Sequence, residues 1–183
     1  MTLPVWASRR VPALLVLAAT LAGAERPQVG EYQLKAVFLF NFTKFVEWPA
    51  QASGDVPDPF SICVAGSNPF GGWLDDEVRG KTVGRRPISI RLVSDPREAR
   101  KCQILFIPAA EHKRERALLD GLQGASVLTV GEEDDFTRNG GMVEFKQVNA
   151  RIHIEIVPEA AERANLRISS KLLSLATLEK GPS

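Results

Sequence analysis

Short apolar segments that alternate with short helical segments limit the possible folds of this chain more than any other feature. The apolar segments have the length and the branched and aromatic residues of buried strands. They are residues 60–65, 88–93, 103–108 and 125–130, and each is followed by a turn or a helical pattern. Strands that alternate with helices at this spacing predict an α/β protein with a mainly parallel sheet and helices on both faces.

The pattern changes in the last third of the chain. After the turn signal Asn139-Gly140-Gly141, residues 142–146 and 151–157 have strand character, and the second of these segments alternates cleanly between apolar and polar residues. A few residues join the two segments, which predicts an antiparallel hairpin. We therefore expect about six strands, mainly parallel, with an antiparallel C-terminal hairpin.

Residues 31–48 form a helix signal rich in aromatic residues, which Pro49 ends. Two residues break its pattern, because Lys35 lies in the apolar stripe and Phe40 lies among polar residues. Two interpretations compete for Lys35 and Asn41. Either Lys35 extends its ammonium to a carboxylate or a sheet-edge carbonyl while Asn41 fixes the helix by hydrogen bonding, or the two line a small pocket or a partner surface. Phe40 is expected to be an exposed aromatic and a candidate partner contact.

Residues 1–24 have the features of a secretory signal peptide. Arg9 and Arg10 precede an apolar run, residues 11–21, and Ala22-Gly23-Ala24 follows with the small residues that signal peptidase accepts. The alternatives are a membrane anchor and a hydrophobic N-terminal helix. An anchor is disfavoured because a span needs about 20 apolar residues and this run is much shorter. We therefore expect export, cleavage near Ala24, and a single domain, residues 25–183, in an oxidising compartment.

Cys63 and Cys102 are the chain's only cysteines, and each lies in or next to a predicted strand. In an oxidising compartment an even count is most simply a disulfide, whereas in the cytosol it would indicate two buried thiols or part of a metal site. A redox catalyst would carry the Cys-x-x-Cys spacing, which this chain lacks. A structural disulfide between Cys63 and Cys102 is the prediction.

Charge and motif content argue against several classes of protein. The formal net charge is +1 with no long basic run, which disfavours a nucleic-acid partner. His112 and His153 lack neighbours at metal-ligand spacing, and the acidic run 132–135 lacks the pattern of an EF-hand, so it is expected to be an exposed loop. No serine lies in a nucleophile elbow. We predict no metal, no cofactor and no catalytic residue.

The turn after the first predicted strand is the candidate small-ligand site. Gly66, Ser67, Asn68 and Pro69 lead from that strand to a helix signal, and such a turn can bind anions through free backbone N–H groups. The Lys-Ser/Thr pair of a P-loop and the spacing of a dinucleotide fingerprint are both absent. An ordinary turn of a parallel sheet is the competing interpretation.

Residues 32–49 resemble the opening motif of the YfiR family of periplasmic proteins. The matching residues are Leu34-Lys35-Ala36 with Phe38-Leu39, followed by Phe42-x-x-Phe45-Val46-x-Trp48-Pro49. Later segments resemble blocks of the same family in the same order, including residues 63–66, 102–107, 128–130, 140–142 and 166–176. The resemblance covers nearly all of the chain after the signal peptide. It implies a Rossmann-like three-layer α/β sandwich in the periplasm, without known catalytic activity.

The resemblance also implies a regulatory function. Characterised members bind the periplasmic portion of an inner-membrane diguanylate cyclase and inhibit it, which lowers cyclic di-GMP signalling and biofilm formation. An OmpA-type outer-membrane lipoprotein can sequester them, and homodimers are described. This chain departs from the best-characterised members in having one Cys pair, and in having Ile156-Val157 where many members have Ile-Asn. The expected function is therefore that of a cyclase inhibitor, and the alternative is a periplasmic module that binds a nucleotide or metabolite.

Overall fold

The computed structural model describes residues 28–49, 58–149 and 151–180, so the predicted signal peptide lies outside the described residues. The strands are β1 Val46–Glu47, β2 Phe60–Ala65, β3 Thr82–Val83, β4 Arg86–Val93, β5 Ile104–Ile107, β6 Leu128–Gly131, β7 Val143–Val148, β8 Arg151–Ile156, β9 Arg167–Ile168 and β10 Thr177–Leu178. The helices are α1 Gln28–Phe45, α2 Trp73–Val78, α3 Pro96–Ala99, α4 His112–Gly121, α5 Pro158–Arg163 and α6 Ser170–Leu173, with a 3₁₀ turn at Ala109–Glu111.

Eight of the described strands form one sheet in the order β10-β8-β7-β6-β5-β2-β4-β3. The five strands from β7 to β4 in this order are mutually parallel, and β7 pairs with β8 as an antiparallel hairpin. The predicted mainly parallel α/β class with a C-terminal antiparallel pair is confirmed. The prediction of about six strands is wrong, because β1, β3, β9 and β10 are two residues long and so offer no alternation that a sequence pattern could detect.

The sheet separates two apolar cores and forms the middle of three layers. Along β2, Ile62 and Val64 pack in the core that contains residues of α1, α2 and α5, whereas Cys63 and Ala65 pack in the core that contains residues of α3 and α4. Successive strand residues point to opposite faces. Since both faces are covered by helices, β2 is buried along its whole length, and this explains its continuous apolar sequence.

Aromatic contacts fasten α1 to the sheet. Tyr32 meets Phe70 edge to face at 5.4 Å between ring centroids, and Phe42 stacks on Phe145 at 5.9 Å. Phe70 in turn meets Phe106 of β5 at 4.9 Å. The helix ends earlier than predicted, at Phe45, because the next two residues form β1 and pair with β9.

A disulfide joins Cys63 of β2 to Cys102, which lies just before the neighbouring strand β5. The two Cα atoms are 6.0 Å apart, and both cysteines are buried in the core on the α3 and α4 side. A covalent link between adjacent central strands, away from any exposed surface, is consistent with the structural role expected from the sequence.

We predict that loss of this disulfide lowers the free energy of unfolding by up to about 4 kcal/mol, because the bond closes a loop with a sequence separation of 39 residues in the unfolded chain. Urea unfolding of the protein with and without reductant measures the effect. A Cys63→Ala/Cys102→Ala variant is the control, since its unfolding should not respond to reductant. Equal urea midpoints for the oxidised and reduced protein would contradict the prediction.

Candidate functional site

The strand order places a topological switch point between β2 and β5. From β2 the chain first adds β4 on one side and then β5, β6 and β7 on the other. In doubly wound sheets, ligands bind outside the carboxyl ends of the strands at such a point. The elements that meet there are the Gly66 turn after β2, the 3₁₀ turn after β5, and Glu132 after β6.

A buried charge cluster, formed by Glu31, Tyr32, Lys35 and Glu132, closes this carboxyl edge. Lys35 is 3% exposed, and its ammonium contacts the carboxylates of both Glu31 and Glu132. Oε1 of Glu132 accepts hydrogen bonds from the Tyr32 hydroxyl and from the backbone N–H of Ala109, each at 2.9 Å. The cluster therefore connects the first turns of α1 to the ends of β5 and β6.

The contacts of Lys35 match the first of the two interpretations, in which its ammonium meets a carboxylate. Glu132 was expected in an exposed acidic loop, and this expectation is wrong, because its side chain is only 5% exposed. Its hydrogen bonds to Tyr32, Lys35 and the backbone explain how a carboxylate can be buried there. Burial, and next the charge of Glu132, raise the pKa of Tyr32, so the phenol remains a donor.

The Gly66 turn is shaped by a positive φ of +65°, which favours glycine, and by the carboxylate of Glu111. A Cβ at Gly66 would collide with that carboxylate, whose other oxygen accepts a hydrogen bond of 2.9 Å from Arg114. Asn68 accepts a hydrogen bond from the N–H of Phe70 at 2.9 Å, and Ser67 is exposed. The turn thus faces a carboxylate of the protein itself, and ligand binding by Gly66, Ser67 and Asn68 stays a prediction.

Phe40 is buried, with 8% of its surface exposed, so the expectation of an exposed aromatic is wrong. The ammonium groups of Lys44 and Lys81 lie 4.2 and 4.0 Å from its ring centroid. Lys81 belongs to the segment between α2 and β3, and no helical pattern within α1 could indicate that this segment packs there. Asn41 accepts a hydrogen bond of 3.2 Å from Lys44 and is half-buried.

An apolar groove of about 450 Å³ runs between α1 and the outer part of the sheet. Its walls come from α1, β8 and the C-terminal segment, namely Phe38, Asn41, Phe42, Phe45, Ile152, His153, Ile154, Leu172, Leu175, Ala176 and Thr177. Leu175 is 72% exposed, and nearby Leu178 is 55% exposed. Two exposed leucines at the C-terminal side of an apolar groove make this surface a candidate for protein contact. Of the predicted site residues, Asn41 belongs to it.

Two further buried carboxylates hold the loop that follows β6. Glu144 accepts hydrogen bonds at 3.2 Å from both the N–H and the hydroxyl of Thr137, and Glu115 accepts one at 3.2 Å from Asn139. Burial raises the pKa of Glu115, and the charges of Glu133 and Glu144 add to this effect, although the Asn139 hydrogen bond opposes it. The loop is therefore tied to α4 and β7 through groups that repel one another when ionised.

Within the described ranges, no group of three or more His, Cys, Asp or Glu side chains is arranged to hold a metal ion. In the same part of the chain, no helix combines the length and the apolar character required to cross a bilayer.

The fold and the site define an α/β protein of the doubly wound class, in which the protein's own carboxylates close the carboxyl edge and an apolar groove lies open on another border. The family model described as YfiR/HmsC-like matches residues 32–177, and the chain belongs to this family. The family is periplasmic, it is regulatory rather than catalytic, and at family level it acts in diguanylate cyclase signalling in association with a membrane-bound cyclase.

Comparisons with individual proteins add little to the family match. A comparison with curated proteins finds no match. Among solved structures, the chain is similar to one described as the ABC domain in complex with L-Trp from Streptococcus pneumonia, with 9% sequence identity and a TM-score of 0.46. That similarity covers 64% of this chain, which spans about half (54%) of the other chain.

We predict that Lys35→Met destabilises the protein by about 3–5 kcal/mol, because it leaves Glu132 buried without its counter-charge. Adding Glu132→Gln should restore part of this loss, since glutamine keeps an acceptor for Tyr32 and Ala109 but carries no charge. Urea unfolding of the two variants and the parent protein measures the difference. A double variant as unstable as Lys35→Met would show that the buried charge is not the cause.

We predict that Glu115→Gln raises stability at neutral pH. A folded-state pKa above the ordinary value of 4.5 means that the protein loses stability as pH rises from that value through the folded pKa. Glutamine keeps the Asn139 contact and removes this loss, so the stabilities of the variant and the parent should converge as the pH falls to about 4 and separate as it rises. Urea midpoints between pH 4 and 8 test this, with Glu162→Gln, an exposed site, as the charge-matched control.

Proposed function

We propose that this protein binds the periplasmic portion of an inner-membrane diguanylate cyclase and inhibits the enzyme. The observation that carries the proposal is membership of the YfiR/HmsC-like family across residues 32–177. Inhibition follows if the protein binds the inactive conformation of the cyclase more tightly than the active one, because a ligand shifts an equilibrium only through differential affinity. The result is a lower level of cyclic di-GMP and less biofilm.

We propose the apolar groove as the surface that the cyclase covers. Its walls are mainly aromatic and aliphatic side chains of α1, β8 and the C-terminal segment. On that segment, the side chains of Leu175 and Leu178 are mostly exposed. Removing their apolar surface from water favours association with a partner. Aromatic residues such as Phe38 and Phe45 are of the type enriched at the centres of protein interfaces.

Two other partners belong to the proposal. An OmpA-type outer-membrane lipoprotein would relieve inhibition by sequestering the protein in the periplasm, and a second copy of the chain would form a homodimer. Competition between the lipoprotein and the cyclase for one protein is sufficient for such a switch, since binding to either partner lowers the amount free for the other.

Cellular cyclic di-GMP, measured beside the cognate cyclase, tests both the function and the surface. Deletion of this protein should raise cyclic di-GMP, and the wild-type chain should restore the low level. Leu175→Asp places a charge on the exposed rim of the groove, so it should abolish restoration without unfolding the protein. Leu92→Asp is the matched control. Leu92 is 57% exposed on β4, which lies near the opposite edge of the sheet from β8, so this variant should restore the low level of cyclic di-GMP fully.

The outcomes separate two failures. If deletion leaves cyclic di-GMP unchanged, inhibition of that cyclase is refuted. If deletion raises it and Leu175→Asp restores the low level as well as the wild type does, the function stands and the groove is not the contact surface.

A further inference from the structure

A second cavity, the arginine pocket, lies at the opposite border of the sheet from the buried charge cluster. It has a volume of about 490 Å³ and opens where β6 and β7 begin, between the end of α4 and α5. This volume is within the range of sites that hold small molecules. None of the residues predicted from the sequence as binding residues lines it.

Three arginines, Arg116, Arg138 and Arg163, are among the residues that line the arginine pocket. Arg116 pairs with Asp120 at 3.1 Å and Arg138 with Asp135 at 2.8 Å, but all four of these side chains are about half or more exposed. Exposed pairs of this kind contribute little and exchange readily with other partners. Arg163 forms no ion pair within the part of the chain that the structure describes.

The concentration of arginines is local. The whole chain has a formal net charge of only +1. At the arginine pocket, three arginines face two carboxylates, those of Asp120 in the lining and of Asp135 beside Arg138, which leaves Arg163 without a carboxylate partner among the described residues. Arginine presents a rigid fork of donors that matches a carboxylate or another planar anion. The charge of this border therefore favours an anionic ligand.

The interior of the arginine pocket is apolar, with one hydroxyl. Leu119, Leu122, Met142 and Ala160 supply aliphatic surface. Thr129 is 2% exposed, and its hydroxyl oxygen accepts the N–H of Met142 at 3.1 Å, which leaves the hydroxyl proton free to be donated. Inorganic phosphate has no apolar surface that the aliphatic walls could remove from water, whereas an alkyl or aryl group has such a surface and would bind more tightly for that reason.

We propose that the arginine pocket binds a small organic anion, namely a carboxylate with an apolar alkyl or aryl body. The carboxylate meets Arg138 and Arg163 at the rim, and the body packs against Leu119, Leu122 and Met142. This inference does not rest on the proposed function, because it uses a different border of the molecule and requires no protein partner.

Octanoate is the probe that tests the proposal, followed by NMR shifts of backbone amides in the purified protein. The amides of Gly124, Gly140 and Met142, which line the pocket, should shift during the titration. Octanol and inorganic phosphate should each bind at least about tenfold more weakly, because the first lacks the charge and the second lacks the apolar body. The double variant Arg138→Gln/Arg163→Gln should lose octanoate affinity by a similar factor.

Arg85→Gln is the charge-matched control, since Arg85 is exposed in the β3–β4 turn at the far edge of the sheet. It should bind octanoate as the wild type does. The proposal is overturned if octanoate shifts no amide, if it shifts only residues of the apolar groove such as Ile152 and Thr177, if the double variant binds it equally well, or if phosphate binds as tightly. Both substituted side chains are exposed, so the double variant should keep the wild-type fold. Its circular dichroism spectrum checks this.

Discussion

One buried ammonium, that of Lys35, fixes how the first helix lies on the sheet. Removing an ammonium and a carboxylate from water costs several kcal/mol, and a protein recovers this only when the remaining donors and acceptors are also satisfied. Glu132 meets this condition through Lys35, Tyr32 and the backbone of Ala109. Any sliding of α1 along the sheet would break these contacts together, so the cluster sets the axial position at which its aromatic residues reach Phe145 and Phe70.

Only part of this arrangement can be predicted from the sequence. The alternation of apolar segments predicts the sheet class, and the misplaced charge of Lys35 indicates that the helix needs a counter-charge. The local pattern does not identify Glu132 as that counter-charge, because Lys35 and Glu132 are 97 positions apart and only the folded sheet brings them together. The burial of Phe40 depends in the same way on Lys81. Strands of two residues cannot be detected from the sequence either, because their pairing is decided by tertiary contacts and not by local periodicity.

The open surfaces of this molecule lie away from the crevice at the carboxyl edge of the sheet. At the carboxyl edge, where related topologies hold ligands, Glu111 faces Gly66 and Glu132 is already paired. The open surfaces lie elsewhere, in the apolar groove beside β8 and in the arginine pocket beside α5. Because β8 leads directly into α5 through Val157, one continuous segment contributes to both surfaces. The two surfaces lie on different borders of the molecule, and no residue lines both of them.

The two-residue length of β10 has a consequence for how other chains can approach. It pairs with β8 only at Glu155 and Ile156, so the first four residues of β8 form an open sheet edge within the described residues. Such edges invite another strand to add to the sheet, and proteins discourage this with charged side chains. Arg151 is exposed on this edge, and Lys146 on the adjoining strand pairs with Glu155 at 3.1 Å. The exposed charge of Arg151 therefore opposes edge-to-edge pairing with the sheet of another molecule at the open part of β8.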